Sequence, residues 1–338
     1  MHRFSRFICA TILFILVDIF SDNESSAMPV HPYGVYNAFT DSLKEIYINS
    51  YSNPIISSDS PTCIIPFSRA GNLILIKARA DTTEGNFILD TGAPHLVLNI
   101  TYFRSYPSTV VSDAEQAGIT GSVSSVTRTR INKFSFGSFN YSGVDADLAN
   151  LGHIENSKGV KILGLLGLEF FKKCEMIIDY EKSLIYLHLI SRKETATYKS
   201  DMLQDTSAYN TVSIETINNK IVARTTMAGK KLRLMIDYGA ESNLLDSRLP
   251  NKIFESIIIT GRVMLNGSGT QKVEALAGEM KNMKIGNENV ASLPVLIVNL
   301  EKTCLSYDGC IDGILGFDFL SLHKIGFNFV QRKMYIWK

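Results

Sequence analysis

Short runs of apolar residues, many of them β-branched or aromatic, recur along the chain between glycines and polar turn residues. Such runs, often alternating with polar positions, are typical of β-strands. They predict strands at residues 73–80, 87–89, 133–136, 176–178, 184–187, 221–225, 232–236, 262–265, 293–298 and 334–337. Only short stretches, such as residues 169–173, have a helical pattern. The pattern therefore predicts an all-β protein.

The two halves of the chain repeat one motif. Residues 86–93 read Asn-Phe-Ile-Leu-Asp-Thr-Gly-Ala, and residues 233–240 read Arg-Leu-Met-Ile-Asp-Tyr-Gly-Ala. The offset between Asp90 and Asp237 is 147 residues (237 − 90), and Ile74 and Ile221 keep it. A repeat of this length indicates two copies of one structural unit.

A second shared motif follows in each half. Residues 164–171 read Gly-Leu-Leu-Gly-Leu-Glu-Phe-Phe, and residues 313–320 read Gly-Ile-Leu-Gly-Phe-Asp-Phe-Leu. The offset is now 149 (316 − 167), which the pairs Gly137 and Gly286, Asn150 and Asn299, and Tyr186 and Tyr335 also keep. One net insertion of two residues explains the change. The repeat predicts a first lobe at 61–190, a charged and polar linker at 191–208 and a second lobe at 209–338.

Composition is that of an ordinary globular protein of two domains. The chain has 338 residues, of which 45% are hydrophobic, and its formal net charge is +1. This length and apolar content are enough for two buried cores. Because no long run of charges of one sign occurs, nucleic acid is not expected as a partner. The repeat within one chain indicates a monomer with an internal two-fold axis.

The N-terminus has the pattern of an export signal. Basic residues at positions 2–6 precede a mostly apolar run of 11 residues, 7–17, and Ser25-Ser26-Ala27 suits signal-peptidase cleavage. We therefore expect residues 1–27 to be a signal peptide, and the mature protein to be periplasmic or extracellular with no membrane span. An uncleaved membrane anchor is the alternative. Residues 28–60 are polar and irregular, and either form a leader or wrap the first lobe.

Four cysteines remain after such a cleavage, which in an exported protein is compatible with disulfides. Cys304 and Cys310 flank an Asp-Gly turn signal, and we predict that they pair. A Cys63–Cys174 bridge is a weaker prediction. Buried free thiols are the alternative for both pairs.

Asp90 and Asp237 are the candidates for chemistry. Each follows a strongly apolar strand and precedes a sharp turn whose glycine lets another chain segment come close. A single Asp-x-Gly is ordinary turn chemistry. Two copies at equivalent places in a repeat are more specific, because related lobes that pack about a two-fold axis bring the two carboxyls together.

These motifs resemble those of aspartic proteases. The pattern apolar-apolar-Asp-Thr-Gly-Ala, followed later by apolar-apolar-Gly, is similar to pepsin and the retroviral proteases over about residues 62–338. The alanine after the glycine and the compact lobes resemble the retroviral enzymes, and the fusion of two lobes resembles pepsin. The whole is similar to exported bacterial proteins with two retropepsin-like domains. The resemblance implies a bilobal aspartic protease fold with two pseudo-symmetric retropepsin-like β-barrel lobes.

The resemblance also implies a mechanism and a partner. Asp90 and Asp237 would share a proton and activate a water against a peptide or protein substrate, without a metal or other cofactor. The matching loops would support them, through residues Thr91, Gly92, Ala93, Tyr238, Gly239 and Ala240. Hairpin flaps would cover the substrate, with candidate tips at Gly118 and Gly121 and at Gly267 and Gly269; ordinary hairpin turns are the alternative for both.

Two residue types in these loops bear on activity. Ala93 and Ala240 lack the hydroxyl that pepsin-like enzymes place beside each aspartate, which implies activity at mildly acidic to neutral pH. Tyr238 stands where the family has Thr or Ser, whose hydroxyls hold the two loops across the lobe interface. Either the Tyr238 ring packs in that interface and Thr91 holds the loops, or the ring separates them. A peptide-binding protein without catalysis is therefore the alternative function, and nothing in the sequence favours a structural envelope protein.

Overall fold

The computed structural model describes residues 54–111, 117–118, 121–122, 126–217, 219–266, 272–301 and 310–338. Strand makes up 57% and helix 10% of the structure, so the all-β prediction is confirmed. The predicted signal peptide lies outside the described residues.

Where the structure describes it, the first half contains fourteen strands and two short α-helices. Its strands are β1 Ile55–Ser58, β2 Thr62–Pro66, β3 Ser68–Ala70, β4 Leu73–Ala80, β5 Thr83–Leu89, β6 Leu96–Asn99, β7 Ser108–Val111, β8 Ala117–Gly118, β9 Gly121–Ser122, β10 Val126–Phe136, β11 Phe139–Ala149, β12 Gly164–Leu166, β13 Cys174–Asp179 and β14 Leu184–Leu189, among the described residues. Its helices are α1 Ile100–Phe103 and α2 Gly152–Lys158, with a 3-10 helix at Leu168–Phe170.

The second half repeats much of this order. Its strands are β15 Tyr209–Ile217, β16 Lys220–Met227, β17 Lys230–Ile236, β18 Leu244–Asp246, β19 Ile257–Asn266, β20 Lys272–Ile285, β21 Glu288–Val298, β22 Gly313–Leu315, β23 Ile325–Asn328 and β24 Lys333–Trp337. Its helices are α3 Asn251–Phe254 and α4 Phe317–Leu320, and a 3-10 helix at Asp201–Leu203 precedes β15.

Each lobe is a small barrel. In the first, the strand order β11-β6-β12-β5-β4-β10 closes through pairing of β10 with β11. In the second, the order β20-β21-β18-β22-β17-β16 closes through pairing of β16 with β20. In both barrels the strand that directly precedes the aspartate, β5 or β17, pairs in parallel with the short strand of the second motif, β12 or β22. The two lobes therefore share one topology, as the repeat predicts.

A sheet common to both lobes joins them. Strands β2, β14 and β13 of the first lobe continue into β23, β24 and β15 of the second. At its centre, Ile177 pairs with Gly326 in antiparallel register. These two residues stand at the repeat offset of 149 (326 − 177), so the pseudo-two-fold axis passes between them. The axis relates the barrels, and with them the two aspartates.

Several local predictions change in detail. The short helix predicted at 169–173 is a 3-10 helix at Leu168–Phe170 followed by a turn. The last part of the predicted leader forms β1, which pairs with β11 at the edge of the first barrel. Among the described residues, no helix is long and apolar enough to cross a bilayer.

The two disulfide predictions have different outcomes. Cys310 is disulfide-bonded, and its predicted partner, Cys304, lies outside the described residues. Cys63 and Cys174 are free thiols, so the predicted bridge between them is wrong. They lie on β2 and β13, with β14 between these two strands. Two strand spacings amount to roughly 10 Å, beyond the Cα separation that a disulfide can span.

Candidate active site

Each candidate aspartate is held at the end of its strand by the second motif of the same lobe. The Asp90 N–H donates to Leu166 O at 3.1 Å, and the Asp237 N–H donates to Leu315 O at 3.0 Å. These two bonds are equivalent, so the two motifs of each lobe together set the same loop geometry in both lobes. The loops then meet at the pseudo-two-fold axis.

The two carboxyls lie against each other's loops. The Gly92 N–H donates both to Asp90 Oδ1, at 2.9 Å, and to Asp237 Oδ1, at 3.0 Å. Ala93 N–H donates to Asp90 Oδ1 at 2.9 Å, and Gly239 N–H donates to Asp237 Oδ1 at 2.8 Å. A Cβ on Gly92 would lie 2.5 Å from Asp237 Oδ2. Glycine is therefore required here by the close approach of the opposite carboxyl.

Burial and proximity perturb both carboxyls. Asp90 and Asp237 are 1% and 0% exposed. Burial raises the pKa of Asp90 well above its ordinary value, and the charge of Asp237 raises it further. Burial also raises the pKa of Asp237, to about 6, while hydrogen bonds from Gly239 and Gly92 and from Asp90 lower it. Burial and mutual repulsion therefore disfavour ionisation of both carboxyls at once, so that the pair holds one proton between them.

Thr91 ties the two loops together. Its hydroxyl donates to Ile236 O at 3.0 Å and accepts from the Tyr238 N–H at 3.0 Å, so both bonds cross the lobe interface. Thr91 is fully buried, which keeps these bonds out of competition with water. One hydroxyl thus fastens the loop of Asp90 to the strand end of Asp237.

The Tyr238 ring is packed in the interface, which is the first of the two arrangements that its sequence position allows. Its ring centroid lies 6.4 Å from that of Tyr180, in the first lobe, and 6.1 Å from that of Phe327. Tyr238 is 2% exposed, and among the described residues its hydroxyl has no hydrogen-bond partner. The side chain therefore acts through its ring, and the loops stay together.

An ion pair crosses between the lobes beside the second loop. Lys158 Nζ of α2 lies 2.7 Å from Glu241 Oε2, and the two side chains are only 10% and 5% exposed. Asn72 Nδ2 donates to Glu241 O at 3.3 Å. Glu241 follows Ala240 directly, so these contacts hold the Asp237 loop to the first lobe. Sequence reasoning missed this pair, because Lys158 and Glu241 stand at unrelated places in the repeat.

We expect Lys158→Met to lower the free energy of unfolding by about 3 kcal/mol, because it leaves the Glu241 carboxylate buried without its cation. Urea unfolding at neutral pH measures this. Arg262→Met is the matched control, since Arg262 pairs with Glu274 at the surface, with side chains 72% and 52% exposed. That variant should leave the unfolding transition in place, and an equal loss in both variants would contradict the expectation.

The flap candidates lie at the ends of hairpins. Gly118 of β8 pairs with Gly121 of β9, and β19 pairs with β20 up to Asn266 and Lys272. Gly267 and Gly269 themselves lie outside the described residues. In the second lobe β20 also pairs with β21 from Leu276 onward, so β19 and β20 form a two-stranded end over residues 263–266 and 272–275, which is the shape that a covering hairpin needs.

His95, which follows the Asp90 loop, has a local partner. Its Nδ1 lies 3.1 Å from Glu169 Oε2, and Glu169 Oε1 accepts from the Leu96 N–H at 3.0 Å. In the second lobe Asp318 accepts from the Asn243 N–H at 3.3 Å. These carboxylates fasten the chain that leaves each aspartate loop. Within the described residues no group of His, Cys, Asp or Glu could hold a metal ion.

Two β-barrels related by a two-fold axis, with a pair of buried aspartates where their loops meet, define the class of two-lobed aspartic proteases. A family model described as aspartyl protease matches residues 76–170 and, a second time, residues 223–319. Together these matches cover more than half of the chain, and the chain belongs to the aspartyl protease family. The comparison with curated proteins finds no match.

Proposed function

We propose that the protein is an endopeptidase that hydrolyses peptide bonds with a water activated by Asp90 and Asp237. The observation that carries the proposal is the contact of the two carboxyls with one shared donor, the Gly92 N–H, across the lobe interface. Two acids so close cannot both ionise readily, so they hold one proton between them at the pH of reaction.

The two carboxyls take different roles in this proposal. Asp237, as the carboxylate, takes a proton from the attacking water as general base. Asp90, which keeps its proton, donates it to the carbonyl oxygen of the substrate, giving a neutral diol. The diol then collapses: one hydroxyl proton passes to Asp90, Asp237 gives the proton it took from water to the nitrogen, and the C–N bond breaks to give an acid and an amine. All protons balance without a covalent intermediate.

Substrate recognition follows from the same architecture. An extended peptide can lie along the cleft between the lobes and pair its backbone with the neighbouring strands. The hairpins ending near Gly118 and Gly121 and near Asn266 are the candidates to close over it and exclude water.

Digestion of a mixed peptide library tests the proposal. We expect internal cleavage, with one atom of ¹⁸O from labelled water in each new C-terminus, and inhibition by a peptide whose scissile bond is replaced by a hydroxyl-bearing tetrahedral carbon. Binding of such an inhibitor without any cleavage would support instead the peptide-binding alternative, which the tyrosine at position 238 favours.

The pH dependence of cleavage is a further prediction. The pKa of Asp237 is raised to about 6, so the base is lost as the pH falls through that value. Burial and the charge of Asp237 raise the pKa of Asp90 well above its ordinary value, so this acid keeps its proton well above the pH at which an isolated aspartate loses it. We expect kcat/KM to be largest at mildly acidic to neutral pH. A maximum found only in strong acid would contradict the assignment.

Export belongs to the same proposal. The basic start, the apolar run at 7–17 and Ser25-Ser26-Ala27 support removal of residues 1–27 and a periplasmic or extracellular site of action. Mass spectrometry of the protein from its native cells tests this: an N-terminus near Met28 is expected, and an intact N-terminus in the membrane fraction would indicate an anchor.

A further inference from the structure

A buried lysine stands beside one aspartate of the pair. Lys220 is the first residue of β16 and is 8% exposed. In the antiparallel ladder of β16 and β17, Ile221 pairs with Ile236. The next position of the same ladder places Lys220 across from Asp237. A lysine side chain is rarely this buried unless it pairs with an acidic group.

The first lobe has a leucine at the equivalent position. There Leu75 pairs with Ile88, so two positions further along the same ladder Leu73 stands across from Asp90. Leu73 and Lys220 also share the repeat offset of 147 (220 − 73). The two aspartates therefore have different neighbours at this position: an apolar side chain beside Asp90 and a cation beside Asp237.

The backbone does not distinguish the two carboxyls in this way. Asp90 Oδ1 accepts from two N–H groups, those of Gly92 and Ala93. Asp237 Oδ1 also accepts from two, those of Gly239 and Gly92. Two such carboxyls related by a two-fold axis would share the negative charge almost equally. A side chain that differs between the lobes is what can localise it.

We propose that Lys220 is a positioning residue that keeps Asp237 as the carboxylate and Asp90 as the carboxylic acid of the pair. It acts through Asp237 and does not touch the reacting atoms. This role rests on the proposed peptidase function, in which the base and the acid must be different residues.

The electrostatics agree with the geometry. Burial raises the pKa of Asp237, and the charge of Lys220 is among the influences that lower it. Burial in turn lowers the pKa of Lys220, while Asp237 and then Asp90 raise it. The nearest other acid along the second loop, Glu241, is paired with Lys158. The two charges that raise the pKa of Lys220 are therefore those of the aspartate pair.

Replacing the lysine tests this role by a measurement that does not need activity. In Lys220→Met, the carboxyl that ionises first should have a pKa higher than in the wild type by at least about half a unit. The titration is measured by ¹³C NMR of labelled aspartates in the whole protein. Asp90→Asn and Asp237→Asn identify the two signals. Lys220→Arg keeps the cation and should keep the wild-type titration. Leu73→Met is the matched control in the first lobe and should leave the titration unchanged.

The kinetic readout separates this inference from the proposed function. If the protein cleaves peptides, the acid limb of the kcat/KM profile of Lys220→Met should move by the same amount as the NMR titration, and Lys220→Arg should restore it. A titration unchanged in Lys220→Met overturns the role of Lys220, whether or not cleavage occurs. If neither the wild type nor any variant cleaves peptides but the titration shifts in Lys220→Met, the proposed peptidase function is rejected and the effect of Lys220 on the aspartate pair stands. Should Lys220→Met fail to fold, Lys220→Leu copies the residue of the first lobe.

Discussion

Asp90→Asn and Asp237→Asn should each lower kcat/KM for peptide cleavage by at least about a thousandfold. Asparagine keeps the shape of aspartate but neither serves as a base nor gives up a proton. Asp237→Asn removes the group that takes the proton from water, and Asp90→Asn removes the group that protonates the carbonyl oxygen. The measurement is the initial rate on a peptide found in the library digest, over a range of pH.

A buried aspartate elsewhere in the second lobe provides the matched control. Asp246 is 4% exposed and accepts from the Arg248 N–H at 3.1 Å. The equivalent residue in the first lobe is Asn99, at the offset of 147 (246 − 99), so the fold already accepts asparagine at this position. Asp246→Asn should therefore keep its activity. Full activity in either variant of the pair, or equal loss in Asp246→Asn, would rule out the mechanism.

Tyr238→Ala should destabilise the protein by about 3–5 kcal/mol, because it empties a buried site the size of an aromatic ring. The ring fills the space between Tyr180 of the first lobe and Phe327 of the second. Tyr238→Phe should keep most activity and leave the free energy of unfolding equal or slightly higher, since the hydroxyl has no hydrogen-bond partner among the described residues. Urea unfolding and cleavage rates of both variants measure these effects.

A second buried aromatic separates local from global effects. Phe139 is fully buried, and its strand pairs with β1 at Ser58, on an edge that carries neither aspartate loop. Phe139→Ala should lose a similar free energy of unfolding, yet keep its activity where it is folded. If wild type is inactive and Tyr238→Thr gains cleavage, the ring is what prevents catalysis, and the peptide-binding alternative holds.

The repeat accounts for how much of the fold the sequence could predict. Apolar periodicity sets the strands, because alternate residues of a strand face one core. The paired motifs predict two related lobes, since similar sequences fold into similar barrels. The predicted helix at 169–173 became a shorter 3-10 helix at Leu168–Phe170, because a few residues between two strands have too little length to define their own helical type.

Contacts between distant residues required the tertiary structure. The predicted bridge between Cys63 and Cys174 was wrong because a whole strand, β14, lies between their strands. The ion pair of Lys158 with Glu241 joins residues that no periodicity relates. The position of Lys220 is visible in the sequence, because the second copy of the repeat has a lysine where the first has Leu73. Its role depends on the strand pairing, which places it across from Asp237.

The sequence by itself determined that the chain has two related all-β lobes and that each carries an aspartate at a strand end, because these are local and repeated properties. Only the tertiary structure decided that the Gly92 N–H touches both carboxyls, that the Thr91 hydroxyl bonds the backbone on both sides of Asp237, and that the Tyr238 ring fills the interface. The physical reason is that packing across the two-fold axis joins residues about 147 positions apart, and its energies depend on burial and distance.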